Sequence, residues 1–293
     1  MDKIQFPAGL GTALITPFCP DGAVDYTALD RLLDKQLASA VDYLVVLGTS
    51  GEAATLTAAE NKEVRQHIVK YVGGQKPLVL GVGGNNTAVV AQQLKSLGAE
   101  AKDYQAVLSV CPYYNKPNQE GLYRHFTALA DASPLPILLY NVPGRTGVNL
   151  LPKTVLRIYE TAPDKILGIK EASGDEVQVA ELAKLIREKG AKMAIISGDD
   201  GLCYQLMQLG AVGLISVASN AFPDDFARLV HERHAYIQAK YETMIDLLFR
   251  EGNPVGIKAV LAQQGVIRNV VRLPLAESSA ELNRDIEQEL EGL

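Results

Sequence analysis

The chain has 293 residues, of which 47% are hydrophobic and 21% are charged, and its formal net charge is −6. The acidic balance argues against nucleic-acid binding, which needs clustered Lys and Arg, and no apolar run is long enough for a membrane span. The composition is that of a globular protein that buries a large core.

Three cysteines are scattered along the chain, at Cys19, Cys111 and Cys203. Their spacing matches neither a metal site nor a disulfide framework, and residues 1–7 lack the apolar core of a signal peptide. We therefore expect a cytoplasmic protein without a metal ion.

Short apolar runs alternate with amphipathic stretches up to about residue 235. Alternation of this kind predicts parallel strands joined by crossover helices, and eight such units fit a closed (β/α)8 barrel, or TIM barrel. The predicted strands are Gly11–Phe18, Tyr43–Gly48, Leu78–Gly83, Ala106–Cys111, Pro136–Asn141, Ile166–Lys170, Ala194–Ser197 and Gly213–Val217. The predicted helices are 27–39, 57–72, 87–98, 119–131, 152–161, 176–189, 201–209 and 224–235.

A doubly wound open sheet is the alternative fold. Such sheets usually carry a phosphate-binding, Gly-rich turn after the first strand, and here residues 19–22 read Cys-Pro-Asp-Gly instead. The Gly-rich segment 81–86 follows the third predicted strand and lacks the full dinucleotide-binding spacing. The sequence therefore favours the barrel and predicts no dinucleotide cofactor.

The last part of the chain has a different pattern. From about Asp225 to the end it is helical, with breaks at 252–254 and 272–274 and no strand. We expect a barrel over residues 1–224 and a C-terminal helical region, 225–293, packed on it.

Lys170 is the residue that points most directly to chemistry. It ends the apolar run 166–170, which is flanked by turn-forming residues and is typical of a buried strand. Burial disfavours the charged ammonium, and the neutral amine that remains can attack a carbonyl carbon. The alternatives are a lysine that extends to solvent or one that pairs with a carboxylate.

Other polar groups follow neighbouring strands, where the working residues of such barrels lie. Thr49 and Ser50 stand between glycines, although hydroxyls in this position also cap helices. Tyr114 and Tyr140 suit proton transfer beside an amine, although a tyrosine is also a common packing residue. Arg145 lies in a Gly/Pro loop, where it could clamp a carboxylate or simply face water.

The four histidines show no pattern typical of a site. All fall in predicted helical stretches, at His67, His125, His231 and His234. We expect them to face solvent, and we assign them no metal and no role as a base.

Five segments taken in order resemble the dihydrodipicolinate synthase / N-acetylneuraminate lyase superfamily of pyruvate-dependent class I aldolases. They are Gly48–Glu52, Pro112–Asn115, Tyr140–Gly147, Gly168–Asp175 and Ser197–Asp200. The match covers nearly the whole chain. Arg145 makes the chain most similar to the dihydrodipicolinate synthase branch, whose arginine in this loop holds the carboxylate of the second substrate.

The resemblance implies a mechanism without a metal or an organic cofactor. Lys170 forms a Schiff base with pyruvate, and the enamine derived from it adds to the aldehyde of aspartate semialdehyde. Tyr140, Thr49 and Tyr114 form a proton relay, and Tyr114 reaches across from a neighbouring subunit. The usual assembly is a homotetramer built from two tight dimers.

The resemblance also implies the residues that bind substrate. Ser50 and nearby backbone hold the carboxylate of pyruvate, the Ile215 carbonyl faces the substrate, and Gly198 belongs to the same set. Ser50 stands where a threonine is usual, which removes a methyl group. Gly256 stands where a proline is usual, and we expect this change to affect packing only.

Members inhibited by lysine bind it at a subunit interface through polar and acidic side chains. The corresponding positions here are Ala53, Ala58, Asn61 and Val89, which leaves only Asn85 and Tyr113 as contacts. We expect weak or absent inhibition by lysine.

Two other functions stay open at the level of sequence. The first is a related aldolase that acts on a sugar acid such as N-acetylneuraminate or a 2-keto-3-deoxy acid. The second is a paralogue that binds a keto acid without catalysis. Arg145 argues against the first, and the joint presence of Lys170, Tyr140, Thr49 and Tyr114 argues against the second.

Overall fold

The computed structural model describes residues 6–293, and its eight parallel strands follow sequence order in a closed barrel. The strands are β1 Gly9–Ala13, β2 Tyr43–Val46, β3 Leu78–Gly81, β4 Ala106–Val110, β5 Ile137–Asn141, β6 Ile166–Glu171, β7 Ala194–Ser197 and β8 Gly213–Ser216. The predicted (β/α)8 fold is confirmed. Across residues 6–293, no helix combines the length and the apolarity that a bilayer crossing requires.

The helices alternate with the strands and then continue alone to the C-terminus. They are α1 Tyr26–Leu37, α2 Ala58–Val72, α3 Thr87–Ser96, α4 Gln119–Ala132, α5 Pro143–Thr146, α6 Pro152–Thr161, α7 Glu176–Lys189, α8 Cys203–Leu209, α9 Pro223–His231, α10 Ala235–Lys240, α11 Glu242–Arg250, α12 Val255–Gln263 and α13 Ala280–Gly292. Thr57 and Glu60 form a capping box at the start of α2.

The first strand differs most from its prediction. It ends at Ala13 rather than Phe18. The Ile15 backbone N–H donates to Asn220 Oδ1, at 3.3 Å, instead of to a neighbouring strand, and Pro17 has no backbone N–H to donate. Phe18 instead forms an isolated antiparallel bridge with Val24.

The chain divides into two compact units. The first contains Leu78–Ile215 and the described residues up to Gly9, and therefore β3–β7, most of β8 and α3–α8. Its strands approach each other closely at Gly168, where a Cβ would lie 2.3 Å from the Ala194 carbonyl oxygen. Only glycine fits there, so this residue fixes the pairing of β6 with β7.

The second unit contains Leu10–Pro77 and Ser216–Leu293. Inside it, a Cβ on Gly256 would lie 2.5 Å from the backbone oxygen of Leu248, so the glycine allows α12 to approach α11 closely. The C-terminal helices α9–α13 thus belong to the same unit as β2, α1 and α2. The division into residues 1–224 and 225–293 stays a prediction.

His125 corrects one expectation, because it is buried rather than solvent-facing. It is 3% exposed on α4, and its Nδ1 lies 2.9 Å from the Thr87 hydroxyl of α3. Its Nε2 is buried without a hydrogen-bond partner. Burial lowers the pKa of His125 to about 4, because the charged ring would lose its hydration. The amphipathic pattern of α4 did not reveal which face this polar residue takes.

We predict that His125 makes the protein less stable in acid. Its folded-state pKa lies below the ordinary value of 6.5, so the unfolded chain binds the proton more tightly between about pH 4 and 6.5. Stability should therefore fall as the pH drops through 6.5 and level off below about 4, by about 3 kcal/mol at about 1.4 kcal/mol per pH unit.

Urea unfolding of the wild type and of His125→Gln at a series of pH values measures how the free energy of unfolding depends on pH. Between pH 4 and 6.5 this free energy should change much less in His125→Gln than in the wild type. His234→Gln, a change at an exposed histidine, should keep the wild-type dependence. Equal slopes for wild type and His125→Gln would contradict the assignment.

Candidate active site

The parallel register of β5 and β6 sets Tyr140 directly opposite Lys170. The Lys170 amine lies 4.4 Å from the centre of the Tyr140 ring, and each side chain is 6% exposed. Within residues 6–293, no carboxylate forms an ion pair with this amine. Lys170 is therefore buried beside the ring of a tyrosine, which excludes the solvent-extended and ion-paired alternatives.

Gly198 makes room for the lysine side chain. A Cβ at this position would lie 2.9 Å from Lys170 Cε and 2.8 Å from the Ala172 methyl group. The backbone N–H of Gly198 donates to the Glu171 carbonyl, at 2.7 Å. The predicted site residue Gly198 thus contacts the stem of Lys170.

Glu171 projects from the strand face opposite to Lys170, since side chains alternate along a strand. It is 1% exposed, and both of its carboxylate oxygens accept from Asn141 Nδ2, at 3.1 Å each. Burial raises the pKa of the Glu171 carboxyl above its ordinary value, and hydrogen bonds from Ser173, Asn141 and Gln178 oppose that shift. Sequence analysis gave Glu171 and Asn141 no role, although their position next to Lys170 and Tyr140 was a usable signal.

Arg145 lies in α5, the four-residue helix that follows β5. Its side chain is exposed, so the guanidinium is available to a ligand. Pro143 starts this helix, and Gly147 ends it with φ 75°, a conformation that favours glycine.

Tyr114 lies in the loop after β4 and is 88% exposed. Its φ is 73°, in the left-handed region that a bulky residue rarely adopts. Its backbone N–H donates to the Thr146 carbonyl, at 3.3 Å, which ties this loop to α5. Tyr114 is therefore not buried with Tyr140 inside a single chain.

In the second unit, Thr49 and Ser50 form a short 3-10 turn after β2. Thr49 is exposed, whereas Ser50 is 2% exposed. The Ser50 hydroxyl accepts from Asn253 Nδ2, at 2.9 Å, so the Ser50 proton stays available to another acceptor. Asn253 was missed as a contributor because it lies more than two hundred residues further along the chain.

Glu52 follows that turn with φ 51° and is 5% exposed. Its carboxylate pairs with Lys258, which is fully buried, and also accepts from the Arg272 backbone N–H, at 3.1 Å. Burial lowers the pKa of Lys258 to about 8, and Glu52 partly offsets that shift. The C-terminal helical region thus supplies Asn253, Lys258 and Arg272 to the neighbourhood of Ser50 and Glu52.

The structure therefore brings Lys170, Tyr140 and Gly198 together, with Arg145 on the loop that follows Tyr140. Ile215 lies in β8, one residue before that strand ends. Among residues 6–293, no group of three or more His, Cys, Asp or Glu side chains could hold a metal ion.

An eight-stranded parallel barrel with a buried lysine near the end of its sixth strand has the arrangement of a Schiff-base-forming lyase. Residues 6–293 match the model of the dihydrodipicolinate synthetase family, and the chain belongs to that family.

Relatives and solved structures agree with this assignment. The chain is 48% identical over 274 residues to 4-hydroxy-tetrahydrodipicolinate synthase of Parabacteroides distasonis, with 91% of this chain and 90% of the relative covered. The enzyme of the same name from Cytophaga hutchinsonii is 45% identical over 287 residues, with 96% and 94% covered. Dihydrodipicolinate synthase from Thermotoga maritima superposes with a TM-score of 0.93 at 35% identity, with 97% and 98% covered. The family predicted from the sequence is confirmed.

We predict that Gly198→Ala impairs imine formation. The added methyl would meet Lys170 Cε and the Ala172 methyl group below 3.0 Å, so the lysine must move. A displacement of about 1 Å costs on the order of 10²-fold in rate, and we expect that loss in the rate of pyruvate trapping by borohydride. Gly144→Ala is the control, because its methyl would meet no atom within 4 Å. A normal trapping rate in Gly198→Ala would contradict the contact.

Proposed function

We propose that this protein is a lyase that condenses pyruvate with L-aspartate 4-semialdehyde to give 4-hydroxy-tetrahydrodipicolinate, a reaction of lysine and diaminopimelate biosynthesis. The observation that carries the proposal is the buried Lys170 beside Tyr140, in a chain whose relatives bear the name of this synthase over nine-tenths of its length.

Lys170 acts as the nucleophile. Its amine attacks the ketone carbon of pyruvate and water leaves, which gives a Schiff base. The protonated imine withdraws electrons from the methyl carbon, so a methyl proton leaves and an enamine forms. The enamine carbon attacks the aldehyde carbon of the second substrate, whose amine then displaces Lys170 as the ring closes. This sequence needs no metal ion and no organic cofactor.

Tyr140 is the group placed to move protons. Its ring contacts the Lys170 amine, and a positioned acid or base of this kind contributes about 10²–10⁴-fold to a rate. Thr49 and Tyr114 complete the relay by resemblance to the family. The 88% exposure of Tyr114 supports its insertion into a second copy of the chain.

The remaining site residues bind the substrates. We assign the pyruvate carboxylate to Ser50, whose proton is free because its oxygen accepts from Asn253. Gly198 and the Ile215 carbonyl contribute backbone to the same substrate, and Arg145 binds the carboxylate of aspartate semialdehyde.

The oligomeric state and the cellular compartment belong to the same proposal. We propose a homotetramer made of two dimers, in which Tyr114 completes the site of its neighbour. The free thiols of Cys19, Cys111 and Cys203 support a reducing compartment such as the cytoplasm. Weak inhibition by lysine stays a prediction, and it is supported by the 51% exposed Val89, which offers no carboxylate to an ammonium group.

Reductive trapping tests the proposed nucleophile. Borohydride added with pyruvate should attach one reduced pyruvate to the wild type at Lys170, as read by peptide mass spectrometry. Lys170→Arg should gain no mass and lose turnover, because a guanidinium stays protonated and cannot form the imine. An unmodified wild type, or turnover retained in Lys170→Arg, would show that the proposed reaction is wrong.

Substitutions of Arg145 test the binding of aspartate semialdehyde independently of the reaction with pyruvate. Arg145→Ala should lower kcat/KM for aspartate semialdehyde by about 10²-fold, as expected when a charge-assisted contact to the substrate carboxylate is lost, and should leave pyruvate trapping unchanged. Arg145→Lys should recover only part of the activity, since it keeps the charge without the planar fork. The wild type should also be assayed with a panel of sugar acids beside pyruvate and aspartate semialdehyde. A higher kcat/KM for one of the sugar acids would favour the alternative aldolase.

A further inference from the structure

The segment that carries Arg145 is held together by hydrogen bonds between its own residues. Residues 142–148 form what we call the arginine loop. Thr146 is 4% exposed, and its hydroxyl bonds the carbonyls of Val142, at 3.2 Å, and Val148, at 3.0 Å. The backbone N–H of Gly147 donates to the Pro143 carbonyl, at 2.9 Å. The position of Arg145 therefore depends on how the two ends of this loop are attached.

Both ends are attached to one side chain, that of Asn141 at the end of β5. Its Oδ1 accepts from the Leu150 backbone N–H, at 2.9 Å, and its Nδ2 donates to Asn149 Oδ1, at 2.8 Å. Asn141 precedes the loop, whereas Asn149 and Leu150 follow it. These bonds close the base of the arginine loop with fully buried polar groups on the strand side.

The base is in turn bonded to β6 and α7. Asn141 Nδ2 also contacts both oxygens of Glu171, and Gln178 Nε2 donates to Glu171 Oε2, at 3.3 Å. Asn149 Nδ2 donates to Gln178 Oε1, at 2.8 Å, and Asn149 Oδ1 accepts from Gln178 Nε2, at 3.1 Å. We call Asn141, Asn149, Glu171 and Gln178 the loop anchor. It joins the arginine loop to the strand that bears Lys170.

We infer that the loop anchor determines the specificity for the second substrate, with Asn149 as a positioning residue that fixes Arg145. This inference rests on the proposed function, because it assumes that Arg145 binds the aldehyde substrate. Within the described part of the chain, the Asn149 side chain bonds only Asn141 and Gln178. The bonds between Asn141 and Glu171 remain without it, so its loss should release the loop without disturbing imine formation. An exposed arginine on a free loop would have to be ordered by each incoming substrate, which weakens binding.

Steady-state kinetics of Asn149→Ala test the inference. The change removes three side-chain hydrogen bonds, and we expect KM for aspartate semialdehyde to rise about tenfold, while KM for pyruvate and the trapping rate stay within about twofold. Asn149→Asp keeps the shape but cannot donate to Gln178, and it should change KM in the same direction. The control is Asn283→Ala in α13, which also loses three side-chain hydrogen bonds and should change neither KM.

A double-mutant cycle with Arg145→Ala distinguishes positioning from general destabilisation. If Asn149 acts through Arg145, Asn149→Ala should have no further effect in the Arg145→Ala background. An additive loss, or an equal loss in pyruvate trapping, would overturn the inference. Failure of the wild type to trap pyruvate or to consume aspartate semialdehyde would instead overturn the proposed function, so the two failures are distinct.

Discussion

The pairing of β5 with β6 is the constraint on which the site depends. Because parallel strands alternate their side chains in step, one register sets Tyr140 beside Lys170 and Asn141 beside Glu171. The first pair provides an amine and a hydroxyl in a nearly dry position. The second pair forms a buried hydrogen-bonded network on the opposite face. A shift by one residue would exchange the two faces, so the carboxylate–amide pair also protects the position of the amine.

Glycines fix the same arrangement at close range. Gly168 sets how near β7 can lie to β6, and Gly198 leaves the volume that the lysine stem occupies. A larger residue at either position would clash with these neighbours. The position of the lysine therefore depends on the backbone of the strands rather than on flexible side chains. Shape holds the lysine stem, and among residues 6–293 no carboxylate forms a salt bridge with its amine.

The sequence predicted the elements well because periodicity is local. The strand Ala194–Ser197 and the helices 152–161 and 176–189 have their predicted bounds, since alternating hydrophobicity and caps lie within each segment. Burial of polar residues was harder to predict. His125 turned inward on an amphipathic helix, and the partners of Ser50 and Glu52 come from the C-terminal region, more than two hundred residues away. Pairings of that kind are set by the folded topology, and no local pattern encodes them.

Lys258 and Glu52 form a buried ion pair that restricts the conformation of the chain around Glu52. A buried ion pair rarely adds much net stability, because both ions lose their hydration, but removing one partner leaves an uncompensated charge. The pair therefore specifies one arrangement of the Glu52 backbone, which is in the left-handed region. In this way the C-terminal helices contribute to the shape of a turn formed near the start of the chain.

The separation between Lys170 and Arg145 has an evolutionary consequence. The amine that we propose as the nucleophile belongs to a closely packed strand, whereas the arginine that we propose for the second substrate belongs to a four-residue helix and is exposed. Descendants of a duplicated gene could exchange that short helix and accept a different aldehyde while they inherit an intact keto-acid activation step. Divergence within the superfamily would then proceed through loops, with the strand carrying the ancestral chemistry unchanged.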